Sequence, residues 1–209
     1  MEAKPPTPLL PVEDYLRFEA DGSVRHDYIG GRVHAMAGSS EAHDTMAGNA
    51  FAAFHAHLRG GPGKAFMSDF KVRLEINRED IFYYPDVMVA CGRDGVERYF
   101  LRQPALIVEV LSPSTENIDR REKLLNYPQI ASLEDYVLVA QETREVTLHR
   151  RAEGWAPRVV TAADAVVELR SIGLTLPLAR IYEGVFRRGA PGRRKGCPRS
   201  GGAVTRASQ

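Results

Sequence analysis

Apolar residues recur along this chain at two spacings, and the switches between them mark out its elements. Met46, Ala50, Phe54 and Leu58 fall at every fourth position, forming one stripe of a helix. Ser39 or Ser40 can cap its start, and Glu41 and Asp44 place negative charge where the helix dipole favours it. The stretch "RGGPG" (59–63) stops it. A shorter helix is expected in "PVEDYLRFE" (11–19), with Pro11 near its first turn. Between these, "SVRHDYIGGRVHAMAG" (23–38) reads as a hairpin around Gly30-Gly31.

Alternation and short apolar runs then take over. Strands are expected in "AFMSDFKVRLEI" (65–76), "DIFYYPDVMVAC" (80–91) and "PALIVEVLS" (104–112). A helix follows from about Asn117 to Tyr127, then strands at 135–140 and 145–151, further short strands, and a closing helix at 178–186. This order predicts an α/β layered domain with a mixed sheet flanked by helices.

Two of the expected strands carry an acid among buried-type neighbours: Asp86 in "YYPDVMV" and Glu109 in "LIVEVLS". An ionised carboxylate is costly to bury without a partner, so each needs a reason to be there. If Asn77-Arg78 is a two-residue turn, the flanking strands pair Leu74 with Ile81, Val72 with Tyr83 and Phe70 with Pro85. The same register sets Asp69 opposite Asp86. Two carboxylates at about 4 Å repel by roughly 4 kcal/mol at an effective dielectric near 20. A cation between them, a bound proton or a different register would relieve that. Glu109 joins the same edge if its strand lies beside that of Asp86, and such a gathering of oxygen ligands suits Mg²⁺ or Mn²⁺.

The helix after Glu109 adds a cation. Ser114 or Thr115 can cap it, leaving Asp119, Lys123 and Tyr127 on one face. That face can carry Lys123 toward Glu109. Two metal acids with an ammonium nearby suit phosphodiester cleavage, the lysine offsetting charge that develops on phosphate. The alternative for Lys123 is a surface pair with Asp119. His43 has two readings, an auxiliary group at the metal or phosphate and a packed, hydrogen-bonded histidine. His55 and His57 are two residues apart, on opposite sides of a helix, and cannot share an ion. Trp155, Tyr28, Tyr83 and Tyr84 can stack on bases or fill the core.

Composition narrows the setting. The 209 residues are 44% hydrophobic and 26% charged, ordinary for a globular chain. Two cysteines, Cys91 and Cys197, make no disulfide framework, and no signal peptide or membrane span is evident, so a cytoplasmic home is expected. No G-x-S-x-G elbow or P-loop is present. The net charge of +1 hides an asymmetry, because residues 187–209 hold seven Lys/Arg and no Asp/Glu. Removing those seven from 28 leaves 21 basic against 27 acidic residues in 1–186, a body charge of −6. Residues 1–186 are expected to form one domain, and 187–209 a basic disordered tail, for which composition favours a solvated terminal extension over a segment drawn to nucleic-acid phosphates.

The stretches "RHDYIGGRVHAMAGSSEAH", "SDFKVRL", "YYPDVMV", "LIVEVLSPSTENIDRREKLLNY", "LEDYVLV" and "LRSIGLTLPLARIYEGV" resemble the Uma-two family of restriction-endonuclease-like proteins, within the PD-(D/E)XK nuclease superfamily. The likeness covers roughly residues 11–186. It implies a restriction-endonuclease-like fold, here with an added N-terminal hairpin and C-terminal strands. It also implies a Mg²⁺- or Mn²⁺-dependent endonuclease acting on DNA. Its metal acids would be Asp86 and Glu109, with the Val110 main-chain carbonyl also approaching the metal and His43 at a position where the family has a histidine. The superfamily pattern wants lysine two residues after the glutamate, where this chain has Leu111; Lys123 is the matching position in the next helix. Asp69 is expected to assist. Two other readings stand beside this one. A degenerate nuclease fold can serve as a nucleic-acid or protein binding module, and the two acids can simply cap backbone amides. Exposed sheet edges also allow a homodimer.

Overall fold

The computed structural model describes residues 9–22, 24–36, 38–112 and 118–186. The basic tail, Cys197 and the caps expected at Ser114 or Thr115 lie outside those residues, as does the side chain of Asp119.

Helix α1 spans Val12–Asp21, and the hairpin β1 (His26–Ile29) and β2 (Arg32–Ala35) follows it. Its turn is Gly30-Gly31, at φ 53° and 90°, the left-handed values such tight turns need. A Cβ added to Gly31 would sit 2.6 Å from Leu9, so space as well as conformation requires glycine. Helix α2 runs Glu41–Leu58, and Ser40 caps it by accepting the His43 N–H at 3.1 Å. Next come β3 (Lys64–Met67), β4 (Lys71–Ile76), β5 (Glu79–Tyr83), β6 (Val87–Ala90), β7 (Phe100–Leu101) and β8 (Leu106–Leu111). A π-helical turn at Ile118–Lys123 runs into α3 (Leu124–Asn126) and a 3₁₀ turn at Tyr127–Gln129. The chain closes with β9 (Asp135–Ala140), β10 (Val146–Arg150), β11 (Pro157–Val160), β12 (Val166–Leu169), β13 (Leu174–Pro177) and α4 (Leu178–Ile181).

Where one mixed sheet was expected, there are two. A six-stranded sheet has the order β11-β10-β9-β8-β6-β3, a five-stranded sheet the order β2-β1-β5-β4-β7, and β12-β13 form a separate hairpin. Within the larger sheet β8 and β9 are parallel. Its odd-numbered β6 positions (Val87, Val89) and even-numbered β8 positions (Leu106, Val108, Val110) pack on Met46, Ala47, Ala50 and Phe54 of α2. Its other face (Met88, Ile107, Leu138) packs on Val72, Leu74, Ile81 and Tyr83 of the smaller sheet. Tyr15 of α1 covers Tyr28, Phe82 and Phe100 on the outside of that smaller sheet. Among the described residues no helix is long and apolar enough to cross a membrane.

The long strands expected at 65–76 and 80–91 each break in two as they pass from one sheet to the other. Asn77 and Arg78 do form the two-residue turn, at φ 53° and 68°. Val72 opposes Tyr83 and Leu74 opposes Ile81, the register expected. Beyond the break, however, Met67 opposes Val87. From the first register to the second, one strand advances five residues (72 to 67) and the other four (83 to 87). The extra residue is accommodated at Ser68, whose φ is 48° and whose N–H donates to the Asp86 carbonyl at 3.1 Å. Such a bulge re-aims the side chains beside it.

Candidate active site

That bulge corrects the expectation for Asp69. Its carboxylate points away to Arg25, 2.9 Å from Nε, and its side chain is 75% exposed. Asp69 and Asp86 are therefore not a facing pair, and the repulsion argued from their register does not arise.

Asp86 has different neighbours. Strands β6 and β8 pair Val89 with Leu106, Met88 with Ile107 and Val87 with Val108. One residue beyond the last of these pairs, Asp86 stands beside the Glu109–Val110 segment of β8. Asp86 stands at the corner where the chain enters β6, its side chain 17% exposed. Its Oδ2 accepts the Val110 N–H at 2.7 Å and lies 3.2 Å from His43 Nε2. In extended backbone a residue's N–H and C=O leave the same side of the strand, so Val110 also turns its carbonyl toward this corner.

Glu109 is buried between the sheets. Its Oε1 accepts from Lys123 Nζ at 2.9 Å and from the Tyr127 hydroxyl at 2.8 Å. Residues four apart share one side of a helical segment, which lets Lys123 and Tyr127 arrive together. Lys123 also lies 5.4 Å from the centre of the Tyr83 ring. The Tyr83 hydroxyl donates to Glu122 and accepts from Asn126. Leu111, at the position of the superfamily's lysine, is buried in the core between the sheets. A lysine from the following segment thus reaches Glu109, and the π-helical turn that delivers it is a distortion frequent at functional sites.

Charge shapes these groups. Burial by itself lowers the pKa of His43, but the hydrogen bond and charge of Asp86, with the charge of Asp44, outweigh it and leave the imidazole raised. Among the described residues His43 Nδ1 is a buried nitrogen with no hydrogen-bond partner, its nearest carboxylate being Asp44 at 3.6 Å. Burial first, and the Glu109 charge second, push the Tyr127 phenol well above its usual value, so it stays a donor.

Asp86 thus contacts Val110 and His43, and Glu109, the residue before Val110, contacts Lys123 and Tyr127, whereas Asp69 pairs with Arg25. Sequence reasoning missed Tyr127 as a partner of Glu109, although its four-residue spacing from Lys123 was visible. It also missed Asp27, whose Oδ1 accepts the Tyr84 N–H at 3.2 Å. Among the described residues no group of three or more His, Cys, Asp or Glu gathers as a metal cluster. The donor set still fits a hard cation, because Mg²⁺ is commonly held by one or two carboxylates and keeps several waters.

A mixed α/β fold of paired sheets with an acid corner of this kind is the architecture of a restriction-endonuclease-like protein. Residues 12–179 match the Uma2 family, described as "Putative restriction endonuclease", and the chain belongs to that family. It is 37% identical over 183 residues to "Uncharacterized protein slr1290" of Synechocystis, covering 86% of this chain and 95% of that one. It is 29% identical over 138 residues to "Uncharacterized protein sll1609" of the same organism, covering 65% of this chain and 77% of that one. Among solved structures, a "putative nuclease belonging to DUF820" from Anabaena variabilis superposes with a TM-score of 0.68 at 16% identity, over 81% of this chain and 96% of that one. At that identity the likeness speaks for the fold.

Proposed function

We propose that this protein is a Mg²⁺- or Mn²⁺-dependent endonuclease hydrolysing phosphodiester bonds in DNA. Asp86, Glu109 and the Val110 carbonyl are the groups that would hold the cation. A cation bound there would polarise the scissile phosphate and lower the pKa of a water. Lys123 would turn its ammonium from Glu109 to a non-bridging phosphate oxygen and offset the charge that builds there. Val110 N–H and His43 fix the Asp86 carboxylate, and Tyr127 fixes that of Glu109. The observation that supports this reading is that Asp86 accepts the Val110 N–H at 2.7 Å, one residue after Glu109, whose carboxylate lies 2.9 Å from Lys123 Nζ.

Supercoiled plasmid with Mg²⁺ or Mn²⁺ tests it. Wild type is expected to nick the plasmid and to gain thermal stability from Mn²⁺. Asp86→Ala and Glu109→Ala should lose both while keeping the wild-type far-ultraviolet circular dichroism. Nicking by Asp86→Ala equal to wild type would remove the assignment. One observation favours a second reading, a binding module without catalysis: Lys123 is tied to Glu109, and Leu111 fills the usual lysine position. That reading expects nucleic-acid binding that persists in EDTA, with no cleavage under any divalent metal.

A further inference from the structure

We propose that Asp27 and Glu19, from the N-terminal α1–β1 segment, are positioning residues that hold the Asp86 corner in place through Tyr84. Its catalytic consequence rests on the nuclease reading above; the brace itself does not.

The corner lies outside both strand ladders, with the Asp86 carbonyl held by the Ser68 N–H. Tyr84-Pro85-Asp86 crosses from one sheet to the other, and Pro85 has no N–H with which to anchor itself. The β1–β5 ladder pairs Ile29 with Ile81 and Tyr28 with Phe82, and there it ends. Past its end the Asp27 side chain takes over, its Oδ1 accepting the Tyr84 N–H at 3.2 Å. Aspartate is disfavoured in strands, so its place in β1 is a local cost that a role at the corner explains.

The other end of Tyr84 is held as firmly. Its hydroxyl donates to Glu19 Oε2 at 2.6 Å, and its ring carries Lys71 Nζ on one face, 4.9 Å from the centre. The Glu19 side chain is wholly buried, and Oε1 lies 2.8 Å from His26 Nδ1. A buried carboxylate needs full satisfaction, and this one receives it from groups that converge on Tyr84. Backbone and hydroxyl of Tyr84 are thus pinned from the same segment, two residues before Asp86. The N-terminal segment that precedes α2 then has a purpose for the site, as its brace.

The Val110 amide reports on the brace without any metal, because its N–H is donated to Asp86 Oδ2. In the metal-free full chain, Asp27→Ala and Tyr84→Phe are expected to speed Val110 amide exchange about tenfold or more, a local opening, while Val137 and Val139 in β9 exchange as in wild type. Asp27→Asn keeps a carbonyl oxygen for the Tyr84 N–H and should restore wild-type exchange. Mn²⁺ affinity, measured by electron paramagnetic resonance of the free ion, should fall in Asp27→Ala and recover in Asp27→Asn. Unchanged Val110 exchange in both Asp27→Ala and Tyr84→Phe would overturn the proposal. So would Asp27→Asn behaving like Asp27→Ala, which would make the charge of Asp27 the acting feature. If Asp27→Ala fails to fold, Tyr84→Phe decides by itself. A wild-type protein with no Mn²⁺ affinity, whose Val110 amide still responds, would keep the brace and sink the nuclease reading.

Discussion

Two buried ion pairs stand along the same parallel ladder, and they are built differently. Asp135 opposes Leu106 where the ladder of β8 and β9 begins; Glu109 opposes Leu138 three steps along. Asp135 uses both oxygens. Oδ1 accepts from Arg150 Nε at 3.0 Å, and Oδ2 from the Ser171 N–H at 2.9 Å and its hydroxyl at 2.7 Å. Arg150 spends its other nitrogens on Glu153 and on the Glu168 carbonyl. This lock joins β9, β10 and the C-terminal hairpin, with a planar fork suited to holding several acceptors rigidly. Three steps along, both Lys123 and Tyr127 donate to Oε1 of Glu109, and a second acid, Asp86, accepts the N–H of the next residue, Val110. A lysine head is a compact charge on a flexible stem, able to leave one oxygen for another. One pair fastens several elements through a branched network, whereas the other rests on a lysine and a tyrosine from a single short segment.

The largest effect expected from breaking this comparison is on stability. Replacing both partners of a buried pair by neutral groups of similar size is often tolerated, whereas stranding their neighbours is not. Asp135→Asn/Arg150→Met takes Arg150 away from the Glu153 carboxylate and the Glu168 carbonyl and should lose about 3 kcal/mol or more in urea unfolding. Glu109→Gln/Lys123→Met should lose about 1 kcal/mol or less, or gain stability, as sites kept for function often do. The reverse ranking would mean that the Glu109 pair is the structural one. Within the Glu109 pair, Tyr127→Phe removes a donor to Oε1 and should cost about 1 kcal/mol by the same measurement. A loss as great as that of the Arg150 double variant would place Tyr127 with the fold instead.

The sequence announced one of these pairs and was silent on the other. Glu109 stood out because it interrupts an apolar strand, and Lys123 because it lies on the next helical face. Asp135 and Arg150 sit at strand ends, where charged residues look like ordinary solvated termini, and only the pairing of β9 with β10 brings them together. The hairpin turns at Gly30-Gly31 and Asn77-Arg78 were legible because turn chemistry is local. The division into two sheets was not, since it depends on one extra residue at Ser68 whose backbone angle no residue type there demands. That residue decided the fate of Asp69. The brace on Asp86 was invisible for a related reason: Glu19, Asp27 and Tyr84 meet only after α1 and β1 have packed on the smaller sheet.

A third buried cation sharpens the contrast and gives the smallest effect. Lys71 is 6% exposed, and among the described residues it has no carboxylate within 4.0 Å of its ammonium. Burial lowers its pKa below the ordinary 10.5, with the more distant Glu19 charge acting the other way. The sign follows from which state holds the proton. Between the lowered folded value and 10.5 the unfolded chain binds more protons at Lys71 than the folded one, so stability rises with pH across that window. Below the window the charged lysine is a standing cost to the fold, partly relieved by the face of Tyr84. Lys71→Met should therefore leave stability at neutral pH unchanged or slightly raised, and should flatten its rise on the alkaline side. Urea unfolding of both proteins at neutral and alkaline pH measures this. A clear loss at neutral pH would instead make Lys71 a needed counter-charge for Glu19, and a member of the brace behind Asp86.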